Sequence, residues 1–514
     1  LLSCTAVAGA DEYLYIKDDS GIQFSTDSTN GADGDWSGSN PYEGVGNVWN
    51  ENTYVNNIAL SGTDNGANDT SGNPEGYGVK LKLSLEEVKF INNGAISAES
   101  TSSNAYGIDN VAGSKISLIN NGTISASSSG AMATYSNGIN NSGIITNLDN
   151  SGIVYGVNTD VLTYSNGIYN TGTINKLNNN GILLANKGLM VFGISNDKDG
   201  IIDKLNNNGK ILSTTGTDYG ISNDSLGSFQ PKITILSNKG FIGGDSSVIR
   251  NGAVGIIDTM SNYGVFSSIS STTVGNGYGI WNRGTIETIN NAGVVYGKEY
   301  AINNQGGTID TANNYGILVN GKNQTVNNGI INNMSNYGLI IRNEGVVIPI
   351  AEGIGGEQYI PFYDKDGKEV KRKMTIENKT DATGNTSFEG NQTNKILNVL
   401  KNTYKVTGLN DEVTGSIINA YGTAVVFEGK DKKLTLSGII VNGGIENSTN
   451  GIAISGSNNG DTLILQSGTV QYTNGSEEIQ NTIVNGNIDM GAGNDTLTIG
   501  DGTIVNGTLD GGDG

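Results

Sequence analysis

The chain predicts an all-β fold, a parallel β-helix (solenoid) with an N-terminal cap and one non-repeat α+β insert. Three observations carry this reading. A glycine-marked phrase recurs, as Asn92-Asn93-Gly94-Ala95-Ile96, Asn120-Asn121-Gly122-Thr123-Ile124, and more loosely at Asp149 to Val154 and Leu177 to Ile182. Its glycines are Gly94, Gly122, Gly152, Gly181, Gly209, Gly240, Gly264, Gly293, Gly316 and Gly338, and their spacing is nearly even. A repeat period of roughly 20 to 50 residues signals units that bury their apolar faces only against neighbours. Second, the apolar runs are short and β-branched, which favours strands over long helices. Third, Asn-Gly pairs punctuate those runs and mark corners, because both residues tolerate positive φ.

Taken in order, Leu1 to Ala10 reads as the tail of a secretory signal, Ala6-Val7-Ala8 fitting a small-x-small cleavage site. Leu1 to Cys4 also faintly resembles a lipoprotein acylation box. Residues 11–78 lack the repeat and hold Trp36, Trp49, Pro41 and Pro74. They are expected to cap the first coil, whose open edges would otherwise pair with other strands. Residues 79–344 are the β-helix repeats, each coil adding about 4.8 Å of length with Ile and Leu stacked inward. Tyr164 to Leu184 shows one coil whole. The Asn-rich corners read as ladders of stacked amides. Tyr106, Tyr135, Tyr164, Phe192, Tyr219 and Tyr278 recur once per coil and read as a stacked aromatic row, with a carbohydrate platform as the alternative.

Residues 345–412 interrupt the repeat. Ile348-Pro349-Ile350 and Ile360-Pro361-Phe362 are expected to break strands. Phe362 to Val370 predicts a hairpin turning at Asp366-Gly367, and Lys395 to Lys405 is the best amphipathic helix candidate. Residues 413–514 resume short strands, and Leu509 to Gly514 reads as the start of another copy of the unit, so the molecule is expected to continue.

Composition narrows the chemistry. Lys and Arg number 29 against 50 Asp and Glu, a formal charge of −21, which disfavours nucleic acid as a partner. There is no histidine and one cysteine, which removes Ser-His-Asp and Cys-His catalysis and the common zinc sites. Gly244-Asp245-Ser246-Ser247 resembles a serine-protease loop but lacks its second glycine and any histidine base. Asp364-x-Asp366-Gly367 is too short for an EF-hand. Met490 to Thr498 resembles a calcium-binding nonapeptide, but those units work in tandem, and Asp461 and Asp495 are too widely separated for that. An Asn-Asp turn opening a strand is the reading. Asp258 and Glu287, one repeat apart, are the pair that stacking brings to neighbouring coils, where glycoside hydrolysis would want two carboxyls. No catalytic residue, metal or cofactor is assigned.

Ile119 to Ser125, the Ser-Asn-Tyr-Gly variants at Ser261 to Gly264 and Ser335 to Gly338, and Gly493-Asn494-Asp495-Thr496-Leu497-Thr498-Ile499 resemble type V autotransporter passengers. More narrowly they are similar to the long, Asn-rich fusobacterial adhesins. The likeness covers roughly 80–345 and 414–514. Its motifs are specific for the wall and not for a ligand, so no ligand residue carries over, and the membrane barrel of such proteins is not in this chain. The resemblance implies a right-handed β-helix exported to the surface of a Gram-negative bacterium, monomeric and non-enzymatic. It would attach to a host-cell or bacterial receptor, protein or glycan. A polysaccharide-degrading enzyme and a structural stalk with its binding tip elsewhere are the alternatives. Candidate contact residues lie where the repeat stops. In the insert they are Tyr359, Phe362, Tyr363 and the basic run Lys371, Arg372, Lys373; in the cap, Trp36 and Trp49.

Overall fold

The computed structural model describes residues 13–18, 21–26, 36–64, 74–129, 134–158, 163–214, 218–225, 227–268, 277–321, 330–343, 347–364, 367–380, 387–400, 404–445 and 451–513. The expected leader at 1–10 and the hairpin-tip residues Lys365 and Asp366 lie outside them. The described residues are all-β, with long, mostly parallel sheets and no α-helix.

The strands form two bodies. In the N-terminal body three sheets of 11, 12 and 12 strands share the chain in rotation. Val88–Asn92, Ala95–Ser100 and Ala105–Asn110 fall one to each sheet, and Lys115–Asn120 returns to the sheet of the first. From Val88–Asn92 to Leu339–Asn343 each strand pairs in parallel with the one a circuit earlier. This arrangement is consistent with a solenoid. Register aligns the apolar residues in columns: Ile108, Ile139, Ile168, Ile194, Ile221, Ile249, Ile280 and Ile302 oppose one another in succession. All are essentially fully buried in one continuous core. At about 1.5–3 kcal/mol per buried aliphatic side chain, these columns are the main source of cohesion.

Two rows of asparagines, buried except for half-buried Asn336, run through the wall. Asn56, Asn92, Asn120, Asn150, Asn179, Asn207, Asn238, Asn262, Asn291, Asn314 and Asn336 form one, each amide donating to the next Oδ1 at 2.7–2.9 Å. Asn110 to Asn304 form the other, at 2.6–2.8 Å. The amides also reach backbone carbonyls, as Asn120 does to Gly122 and Ile153, so the amides are paired along each row, whose first oxygens, Asn56 Oδ1 and Asn110 Oδ1, have no donor.

The marker glycines have a different cause from the one expected. None of the ten has positive φ. Instead a Cβ on each would stand 1.9–2.2 Å from a backbone carbonyl of the preceding circuit. Close approach of stacked backbones, and not a left-handed corner, is what requires glycine there.

At the N-terminal end, the antiparallel strands Gln23–Ser25 and Val48–Asn50 lie at the outer edges of two sheets. Asp18 fixes this region: its carboxylate accepts from the backbone N–H groups of Ser84, Leu85 and Glu86.

The expected α+β insert is corrected. Lys395–Val399 and Tyr404–Val406 are strands where the sequence predicts an amphipathic helix, residues 401–403 lying outside the described set. The hairpin is present, Gly356–Tyr363 pairing antiparallel with Glu369–Lys379 around a turn in which Gly367 has positive φ. Pro349 and Pro361 do not break strands. They sit within Val347–Glu352 and Gly356–Tyr363, both sheet-edge strands, the place in a sheet where proline is tolerated. Glu369–Lys379 and Lys395–Val399 already belong to the sheet continued by Ile417–Ala420, Ile440–Asn442, Ile483–Asn485 and Ile504–Val505. With two five-stranded sheets this makes the C-terminal body.

The C-terminal body folds back along the N-terminal one. Six of its asparagines donate in turn to backbone carbonyls of the other body: Asn378 to Tyr337, Asn398 to Tyr315, Asn419 to Ala292, Asn442 to Tyr263, Asn485 to Lys239 and Asn506 to Asn208, at 2.8–2.9 Å. Donor numbers rise as acceptor numbers fall, so the bodies run in opposite directions. Every acceptor directly precedes a marker glycine. The second proton of each amide from Asn398 to Asn506 goes to the Oδ1 of the previous asparagine in the row. Apolar clusters flank this seam. Tyr263, Ala292 and Tyr315 pack with Phe362, Ile376, Ile396, Ile417 and Ile440 on one side; Val294, Ile317 and Leu339 pack with Leu400, Tyr421 and Ile445 on the other.

Candidate functional site

Strand alternation divides the six hairpin candidates. Tyr359, Lys371 and Lys373 point outward, Tyr359 being 57% exposed and facing Lys373 across the strand pair. Lys373 pairs with Glu357 at 2.8 Å. Phe362 and Arg372 point inward; Tyr363, which alternation puts on the Tyr359 face, is nonetheless buried. Phe362 stacks on Tyr263 with centroids 4.4 Å apart, fastening the hairpin to the N-terminal body. Arg372, 1% exposed, donates to Gln480, Asn394 and the Gly415 carbonyl, with its guanidinium 4.9 Å from the Phe362 ring. Burial pulls its pKa down to about 10, which leaves it charged at neutral pH. Arg372 thus braces the hairpin and is not a surface contact.

The cap tryptophans are packing residues. Trp36 makes an edge contact with Tyr15 at 4.9 Å and lies under the Lys17 ammonium at 3.9 Å. Trp49 packs edge-on to Phe24 at 5.3 Å against the core.

The aromatic row is not one row. Tyr106, Phe192, Tyr219 and Tyr278 share a register column interrupted by Asn137, Asn166 and Ser247, whereas Tyr135 and Tyr164 stand two positions upstream. Tyr135 and Tyr164 stack at 4.9 Å and 15°, and Phe192 and Tyr219 at 5.7 Å and 16°. Rings that cover one another's faces leave no open π-surface between them for a sugar, which argues against the platform.

Asp258 and Glu287 do lie on neighbouring strands, between the register pairs Ile257–Ile286 and Thr259–Thr288. Asp258 is held by Lys232 at 2.7 Å, and neither acid lines either of the two cavities described below. Asp245, Ser246 and Ser247 are buried in the wall.

The crevice between the bodies offers a better candidate. On one flank a cavity of about 230 Å³ is lined by Lys176, Asn178, Asn206, Asn208, Ser237 and Lys239 of the N-terminal body, and by Tyr363, Asp364 and Glu478 of two hairpins. The second hairpin is Gly468–Gln471 with Glu477–Gln480. Burial lowers the Lys239 pKa, opposed by Glu478. Glu478 is oriented by the Tyr472 hydroxyl at 2.7 Å, and Asp364 by the Lys368 N–H at 2.8 Å. The lining thus combines two lysines, two carboxylates and several amides. On the other flank a cavity of about 270 Å³ holds Lys210, Phe241 and Ile445 beside the backbone of Gly443, Gly444, Gly486 and Gly507. Burial lowers the Lys210 pKa as well.

Of the sequence candidates, only Tyr363 lines either cavity; Lys239, Glu478 and Lys210 were missed. A signal for the seam exists. The residue before the marker glycine is Asn, Asn, Ser, Asn, Asn from Asn93 to Asn208, then Lys239, Tyr263, Ala292, Tyr315 and Tyr337. The change begins next to Asn208, the last docked position. No known protein family, curated protein or solved structure matches this chain.

Proposed function

We propose that the chain is a passenger fragment of a cell-surface adhesin, displayed on a Gram-negative bacterium as a folded-back pair of right-handed parallel β-helices. The observation that supports this reading most is the use of the repeat itself. Its asparagines, glycines and isoleucines are consumed in wall-building bonds and columns, leaving recognition to what projects from the wall. The projecting elements are the two hairpins beside the crevice, with Tyr359, Lys371 and Lys373 on the outer face of the first. A face that combines an exposed tyrosine with two lysines and the neighbouring Glu357 and Glu369 suits a protein or glycan receptor that offers charges of both signs. The protein needs no catalytic group for this role and acts as a monomer.

Beads coated with the whole chain test the proposal by attachment to host cells and to other bacteria. The triple variant Tyr359→Ala, Lys371→Glu, Lys373→Glu changes only outward side chains. It is expected to lower attachment several-fold with an unchanged melting temperature. Unchanged attachment would move the contact away from this face, and failure of the parent chain to attach to any cell would overturn the adhesin reading.

A further inference from the structure

We propose that the stacked turns at 457–461 and 491–495 bind one calcium ion through the carboxylates of Asp461 and Asp495. The two aspartates are distant in sequence but one circuit apart in space. Thr462 pairs with Thr496 and Leu463 with Leu497, and the Asp461 N–H donates to Asp495 Oδ1 at 2.7 Å. Asp461 is 1% exposed; its Oδ2 accepts from the Ser457 N–H at 2.8 Å. The other oxygen of each carboxylate, Asp461 Oδ1 and Asp495 Oδ2, is buried and has no hydrogen-bond donor.

Two carboxylates stacked on neighbouring circuits, each with a buried oxygen that lacks a donor, are costly unless a cation joins them. No side chain of the described residues supplies it. Lys432 occupies the same column one circuit earlier, two positions before Leu434 where Asp461 stands two before Leu463. Its ammonium is turned away to the Thr407 carbonyl.

The chemistry available selects the ion. Both side-chain ligands are hard oxygens, and among the described residues no group of three or more His, Cys, Asp or Glu gathers. The remaining ligands must be backbone carbonyls and water, a set that suits the flexible oxygen shell of Ca²⁺ better than the strict octahedron of Mg²⁺ or a nitrogen-seeking metal. The turns are built for close stacking. Gly491 and Gly493 have φ of +82° and +130°, and a Cβ on them would stand 2.2 Å from the Ser457 carbonyl oxygen and 2.5 Å from the Asn459 backbone. Peptide groups of one turn therefore lie directly against the other.

Calorimetric titration of the metal-stripped whole chain with CaCl₂ tests this, paired with thermal melts in Ca²⁺, Mg²⁺ and chelator. One Ca²⁺ per chain is expected, with a Kd of about 10⁻⁴–10⁻³ M as in extracellular modules, and a melting temperature raised by Ca²⁺ but not by equal Mg²⁺. Asp495→Asn keeps the oxygen that accepts from Asp461, so the turn is retained; it and Asp461→Asn should each weaken binding roughly tenfold or more. Asp501→Asn, on an exposed corner, should change nothing. The proposal is overturned if the parent chain takes up no Ca²⁺ to about 10 mM, if Mg²⁺ binds equally, or if Asp495→Asn binds as the parent does.

Discussion

Asn442 donates its side-chain N–H to the backbone carbonyl of Tyr263 at 2.8 Å, joining the two bodies, while its other proton goes to Asn419 Oδ1, also at 2.8 Å. One amide therefore serves two functions, as a rung within the C-terminal body and as a link to the N-terminal one. Replacing Asn442 by Ala would strand both acceptors in a buried seam. At about 1–3 kcal/mol per unsatisfied group, N442A is expected to lose roughly 2–6 kcal/mol, read as a lower urea midpoint. Loss comparable to an exposed substitution such as Asn474→Ala would mean the seam is not buried in solution.

Phe362 and Tyr263 make the apolar counterpart of that link, their rings stacked at 4.4 Å. Phe362→Ala removes a buried ring and is expected to cost about 3–5 kcal/mol. Tyr359→Ala, on the outward face of the same strand, should leave the urea midpoint nearly unchanged. Equal costs would contradict the assignment of inward and outward faces.

Gly181 tests the reassigned role of the marker glycines. A Cβ there would stand 2.0 Å from the Gly152 carbonyl oxygen. Gly181→Ala is expected to destabilise by about 3 kcal/mol, the upper end for over-packing. Gly113→Ala, at φ +84° with open space around it, should be milder. The reverse order in thermal melts would restore the corner explanation.

Two carboxylates give opposite pH signatures. Burial pushes the Asp18 pKa up, but donation from the backbone of Ser84, Leu85 and Glu86 more than offsets it, and the net direction is down. Its contribution is thus complete above the unfolded carboxylate value of about 3.9 and is lost as pH falls through the lower folded value. For Asp109 burial pushes the pKa up despite Lys80 and Asn140, so the folded state disfavours its charge. Asp109→Asn should therefore raise the melting temperature at neutral pH, the gain vanishing in acid where both states are protonated. Asp18→Asn should instead lower stability at neutral pH and flatten the acid limb. Matching profiles for the two variants would refute this assignment.

Much of the fold was legible because wall-building imposes itself on every circuit. The Asn92 to Ile96 phrase contains a ladder amide, a stacked glycine and a core isoleucine, each required by the circuit below it. The fold-back was hidden because it depends on side chains one face away. Lys395 to Lys405 reads as an amphipathic helix for a physical reason. Ile396 packs toward the N-terminal body while Leu397 and Val399 face the core of their own, so a strand buried on both faces loses its alternation. The basic run misled in the same way. Alternation sends Lys371 and Lys373 to solvent and Arg372 into the seam, which composition alone does not distinguish. The cavity residues Lys239 and Glu478 belong to different bodies and meet only after folding back, so no local motif joins them.

The antiparallel docking of the two bodies is the claim on which the crevice, the hairpin faces and the seam all depend. Pulsed electron-electron resonance between spin labels at Asn180 and Asp501, in a Cys4→Ser background, measures it directly. Docking of Asn506 on Asn208 brings these positions to adjacent levels. A distance below about 30 Å is expected at roughly 4.8 Å per circuit. A chain whose second body continued straight on from the first would separate the labels by more than about 50 Å, and that result would contradict the account.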